Sequence, residues 1–129
     1  MPISAAQEKR DAEARREVRM VVEEYKSLKN PSKQKPLRRI SAALTRLERA
    51  FGEQRVRRIL EEDHDFTAVA LGFAQSKVFT SGTVEGARPH FYLALDHCVD
   101  PQIVRDTFFK NGIEILDERR PRNGQKQTA

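Results

Sequence analysis

The sequence predicts an α+β domain in which N-terminal helices pack on a small antiparallel sheet. Three observations carry this expectation. Through roughly the first half of the chain, apolar residues recur at alternating spacings of three and four, the period of a helix with one buried face. After Asp65 that period gives way to short apolar or alternating runs separated by glycine-containing turns. Six of the seven phenylalanines also fall after this point, which places the expected core in the second half.

The first element is a helix over about 5–29. Ser4 followed three residues later by Gln7 reads as a capping box, and Ala14, Val18, Val21, Tyr25 and Leu28 form a narrow seam. Asp11 with Arg15 and Arg19 with Glu23 are opposite charges four apart on the polar side. Pro31 and Pro36 then interrupt the helix. Leu37, Ile40, Leu44, Leu47 and Phe51 predict a second helix over about 37–51, with Gly52 as its stop. Val56, Ile59 and Leu60 predict a third over about 53–62, while Arg55, Arg57 and Arg58 project away from the apolar face.

The expected sheet begins with the apolar run Phe66 to Phe73, continues in short pieces at 77–80 and 83–84, and centres on His90 to Asp96. In that last segment Phe91, Leu93 and Leu95 alternate with Tyr92 and Ala94, as in a strand buried on both faces. His90 is expected at its partly exposed start. Asp100 followed by Pro101 marks the start of one further helix over about 101–111, closed by Asn111 and Gly112 ahead of a last strand at 113–116.

A chain of 129 residues with 38% apolar and 33% charged residues suits one domain. The expected organisation is an N-terminal helix over 1–30 that could act as a dimerisation arm, a single α+β domain over 31–118, and a disordered basic tail over 119–129. Cys98 is the single cysteine, which excludes an intrachain disulfide and any multi-cysteine zinc site and suits a reducing cytoplasm. Acidic residues and the lack of an apolar run near the N-terminus argue against a signal or transit peptide.

Charge is sorted along the chain. Residues 1–60 carry 16 Lys and Arg against 8 Asp and Glu, residues 61–118 carry 4 against 11, and the tail adds four cations. The densest basic stretch contains Lys33, Lys35, Arg38, Arg39, Arg46, Arg49, Arg55, Arg57 and Arg58. Seven of these nine are arginine, whose planar fork grips phosphate oxygens. The expectation is a non-catalytic nucleic-acid-binding protein, with double-stranded DNA as the partner and most contacts to phosphate. Arg55 and Arg58 are expected to reach base edges if the third helix enters a groove. Helices two and three around Gly52 could form a helix-turn-helix, and a hairpin behind them would complete a winged-helix-like arrangement. The competing reading is an adaptor or inhibitor whose basic half docks on an acidic protein surface. A homodimer through the seam of helix one is a further expectation, against the alternative that the seam closes an intrachain helical hairpin.

Catalytic residues, a metal site and cofactors are not expected. Asp63, His64 and Asp65, and Asp96, His97, Cys98 and Asp100, lack a recognised ligand spacing, and neighbouring residues point to different sides. Neither RNA nor a particular DNA sequence is singled out by these residues.

Overall fold

A computed structural model describes residues 4–28 and 34–115. Within them the chain forms six α-helices: α1 (Ala5–Lys26), α2 (Gln34–Phe51), α3 (Glu53–His64), α4 (Phe66–Ser81), α5 (Arg88–Asp96) and α6 (Pro101–Lys110). A single 3₁₀ turn, Val84–Gly86, joins α4 to α5. There is no strand among the described residues, so the α+β expectation is overturned and the fold is all-helical over this span. The proposed hairpin behind α3 falls with it, and so does the winged-helix-like arrangement. Lys33, residue 116 of the expected last strand, and the basic tail lie outside the described residues.

The first three helices follow from local rules. Ser4 Oγ accepts from the Gln7 amide at 3.2 Å, and the Ser4 amide donates to Gln7 Oε1 at 3.3 Å, closing the capping box of α1. Ala14, Val18, Val22 and Tyr25 are fully buried, with Val22 rather than Val21 at the centre of the seam. That seam packs on α2 and α3 within the same chain, as an intrachain helical hairpin would. Gly52, at φ +99°, turns the chain from α2 into α3 in a region that side-chain-bearing residues rarely adopt.

The strand expectations fail where a helix is buried on more than one side, as α5 is, or where its exposed face is itself apolar or small, as at Ala68, Gly72 and Phe79 of α4. Phe66, Ala70 and Ala74 lie at helical spacing along α4 and are all buried, with Val69 and Phe73 partly buried beside them. On α5, His90, Phe91, Leu93, Ala94 and Leu95 are all buried. Neither helix shows a clean polar stripe over these residues, so each sequence reads like a buried strand. The pieces at 77–80 and 83–84 belong to the end of α4 and the turn after it. Ile113 inserts into the core at 3% exposure as irregular chain rather than as a strand. Gly86 is needed here, since a Cβ would lie 2.9 Å from Lys77 Cβ on α4.

Two apolar clusters hold these helices together. The first joins α1, α2 and α3 with Phe66 and Leu93, and the second joins α4, α5 and α6 with Cys98 and Ile113. The core therefore spans both halves of the chain instead of lying mainly in the second. Leu93 in the first cluster and Phe91 in the second make α5 the shared wall, and it also packs on α2. At the centre, the Tyr25 hydroxyl is 2.7 Å from His90 Nδ1, and the Tyr25 ring lies 5.0 Å from Phe73 and 5.5 Å from Phe66. His90 is fully buried, not at a partly exposed edge, and Tyr25 is pushed far up in pKa by burial.

Candidate functional site

At about 100° per residue, Lys35, Arg38, Arg39, Arg46 and Arg49 all fall within an arc of roughly 100° on α2. Leu37, Ile40, Leu44 and Leu47 take the opposite side, where they are buried. The five basic residues are exposed and the helix presents them to solvent as one stripe. Arg39 makes a long 3.9 Å contact with Glu24 of α1. Among the described residues, no ion pair involves Lys35, Arg46, Arg49 or Arg58.

Helix α3 divides its arginines differently. Arg58 is exposed, but Arg55 and Arg57 flank the apolar face and are drawn into the helix interfaces. Arg55 pairs with Asp11 of α1 at 2.6 Å and donates to the Phe51 carbonyl at 2.9 Å. Arg57 pairs with Glu48 of α2 at 3.2 Å and with Glu53 at 3.0 Å. Arg15 reaches Asp63 at 2.9 Å, so the charges of α1 serve contacts between helices rather than the expected pairs along its own face. Of the nine sequence-selected residues, Lys35, Arg38, Arg39, Arg46 and Arg49 form one surface, Arg58 sits exposed on the next helix, Arg55 and Arg57 brace the fold, and Lys33 is not described.

The two acidic junctions considered as chemical sites have separate partners. Asp63 is held by Arg15, and burial shifts the pKa of neighbouring His64 downward against the opposing charge of Asp63. Glu61 accepts from the Cys98 thiol and from the Val99 amide, both at 2.8 Å. Burial and this carboxylate push the Cys98 thiol up to about 12, which keeps it protonated and weakly nucleophilic. Among the described residues, no three His, Cys, Asp or Glu side chains gather in a way that could hold a metal ion.

A group that sequence reasoning missed lies between α2 and the end of α5. His97 is 3% exposed, with Nδ1 2.9 Å from Glu48 Oε2 and Nε2 3.1 Å from Ser41 Oγ. Burial alone would raise the Glu48 pKa, but hydrogen bonds and charge from His97 and Arg57 outweigh it and hold the carboxyl below its ordinary range. The sequence signal was faint: Ser41 and Glu48 are seven apart, hence on one flank of α2, beside its apolar stripe.

Compared with known proteins, the chain matches no family model, no curated protein and no solved structure. Among the described residues, no helix is long and apolar enough to cross a membrane.

Proposed function

We propose that this protein binds nucleic acid through phosphate contacts along the solvent face of α2, with double-stranded DNA as the leading partner. The single observation that carries the reading is the stripe of Lys35, Arg38, Arg39, Arg46 and Arg49 on one exposed helical face. From Lys35 to Arg49 the helix rises about 21 Å, a length along which duplex DNA presents on the order of a dozen phosphates. Lys35, Arg46 and Arg49, which make no ion pair among the described residues, keep their charge available, and guanidinium forks suit phosphate oxygens. Arg58 is a further exposed cation, on α3. Binding of this kind needs no chemistry, carries little sequence information by itself, and suits a cytoplasmic protein.

The test is fluorescence anisotropy of a labelled DNA duplex against increasing salt, with an RNA duplex and poly-glutamate in parallel. Binding to DNA is expected at low salt, with an affinity that falls linearly on a log–log scale and a slope near −0.9 for each phosphate engaged, about −4 if four or five cations take part. Absence of binding to either nucleic acid at about 50 mM salt rejects the reading. Poly-glutamate binding as tight as DNA binding would replace it with docking on an acidic protein surface.

A further inference from the structure

Ser41 sits in the middle of α2, where a serine hydroxyl ordinarily bonds back to the carbonyl one turn earlier. Thr80 and Ser81 on α4 do this, bonding the carbonyls of Ser76 and Lys77 at 3.0 and 2.7 Å. Ser41 is drawn across to His97 Nε2 at 3.1 Å instead. The other ring nitrogen of His97 meets Glu48 at 2.9 Å, and Arg57 steadies the same carboxylate oxygen from 3.2 Å. A Glu48 carboxylate at Nδ1 favours the tautomer that carries its proton there, and in that tautomer the Nε2 lone pair faces the hydroxyl. Hydroxyl, imidazole and carboxylate thus stand in the order nucleophile, base and orienting group, at the distances such a relay requires.

Ser41 is half-buried. Ser41 lines a cleft of about 350 Å³ between α2 and the start of α5, with Leu37, Tyr92 and Leu93 supplying an apolar wall. Arg38 and Arg88 line the same cleft, partly offset by Glu85 and Asp96. This volume sits at the lower end of small-molecule sites, so the space suits a short acyl group.

We propose that Ser41, His97 and Glu48 form an acyl-transfer site that cleaves small carboxylic esters. In the first step a bond forms between Ser41 Oγ and the ester carbonyl carbon, the carbonyl π electrons move onto oxygen, and the hydroxyl proton passes to His97 Nε2. Collapse of the tetrahedral intermediate breaks the bond to the leaving alcohol, which takes the proton back from Nε2. A water molecule then repeats the sequence on the acyl-serine, giving the carboxylic acid and restoring Ser41. Glu48 stays ionised throughout and balances the imidazolium that forms in each half-reaction. Arg38 and Arg88 line the cleft, Arg88 paired with Glu85 at 3.4 Å, and a cation beside the carbonyl oxygen would offset the charge that develops on it. Arg38 belongs to both surfaces, but the acyl-transfer proposal does not depend on the nucleic-acid reading.

The experiment treats the full chain with a small alkyl fluorophosphonate and, separately, with p-nitrophenyl acetate, followed by intact mass and peptide mapping. One adduct is expected, at Ser41, together with p-nitrophenol release that the fluorophosphonate blocks. Ser41→Ala removes only a hydroxyl and should abolish both signals while leaving circular dichroism unchanged. His97→Gln should slow labelling of Ser41 by about a hundredfold or more, the scale of a lost general base. The proposal fails if the wild type acquires no adduct at Ser41, if adducts scatter over other serines and lysines, or if Ser41 is labelled equally fast in a folded His97→Gln variant. The wild type decides the first two outcomes alone, so a poorly folding variant does not shelter the idea.

Discussion

Replacing Glu48 by Gln tests whether one carboxylate ties α2 to both α3 and α5. The side chain of Glu48 is 9% exposed, that of His97 3% and that of Arg57 23%, so solvent screens these contacts little. Glutamine keeps the shape and a neutral acceptor but removes the charge. Hydrogen bonds to charged groups contribute about 1.5–3 kcal/mol each, and Arg57 retains Glu53 at 3.0 Å, so the expected loss is about 2–3 kcal/mol. For a domain of this size, that corresponds to a fall in Tm on the order of 10 °C. Because the folded-state pKa of Glu48 lies below its ordinary value of 4.5, the ionised group contributes its stability above that value and loses it as pH falls through the lowered folded pKa. Urea unfolding followed by far-ultraviolet circular dichroism should therefore show the full gap between wild type and Glu48→Gln near neutral pH and a narrowing gap below about pH 4. A neutral-pH gap under about 0.5 kcal/mol, or one of equal size in acid, would falsify the view that this charge holds the helices together.

Other outcomes follow from the same geometry. Changing Arg46 and Arg49 together to Gln should reduce the salt slope of DNA binding by about two while leaving unfolding unaffected, as read by anisotropy and urea titration. Arg55→Gln should do the reverse, lowering stability by about 1–2 kcal/mol through loss of Asp11, with DNA affinity within about twofold. Tyr25→Phe removes the hydroxyl 2.7 Å from buried His90 and should lower unfolding stability by about 1–3 kcal/mol. Asp65 holds a left-handed conformation at φ 43° between α3 and α4, so Asp65→Gly should match or exceed wild-type stability by up to about 1 kcal/mol. Asp65→Val, strained there, should unfold about 1–2 kcal/mol more easily in the same urea assay.

The elements that announced themselves are those controlled by neighbours along the chain. A capping box at Ser4, a glycine at position 52 and an aspartate-proline start at Asp100 each act within one turn. The Asp100 carboxylate accepts from the Gln102 amide at 2.9 Å, as its spacing implies. Helices α2 and α3 were equally readable because each keeps a polar face toward solvent. Helix α5 was not, because Leu93 faces one cluster and Phe91 the other, and burial on both sides erases the period that separates helix from strand. Helix α4 misled for a related reason: its small residues Ala70 and Ala74 permit close packing with α5 and leave no alternation of polar and apolar positions.

The sequence by itself determined that Arg38, Arg39, Arg46 and Arg49 share a face of the second helix, since positions seven, eight and eleven apart lie on one side whatever surrounds them, while Lys35 joins them only because α2 begins at Gln34, ahead of Pro36. It could not rank the arginines of α3. Arg55 finds Asp11 forty-four positions away, and His97 joins Glu48 at a separation of 49 residues and Ser41 at 56. Contacts at such range depend on how helices are stacked, and the periodicity of a single helix holds no record of its neighbours. Tertiary packing alone decided which cations face solvent, which brace the fold, and that His97, from a distant segment, meets Ser41 and Glu48 of α2.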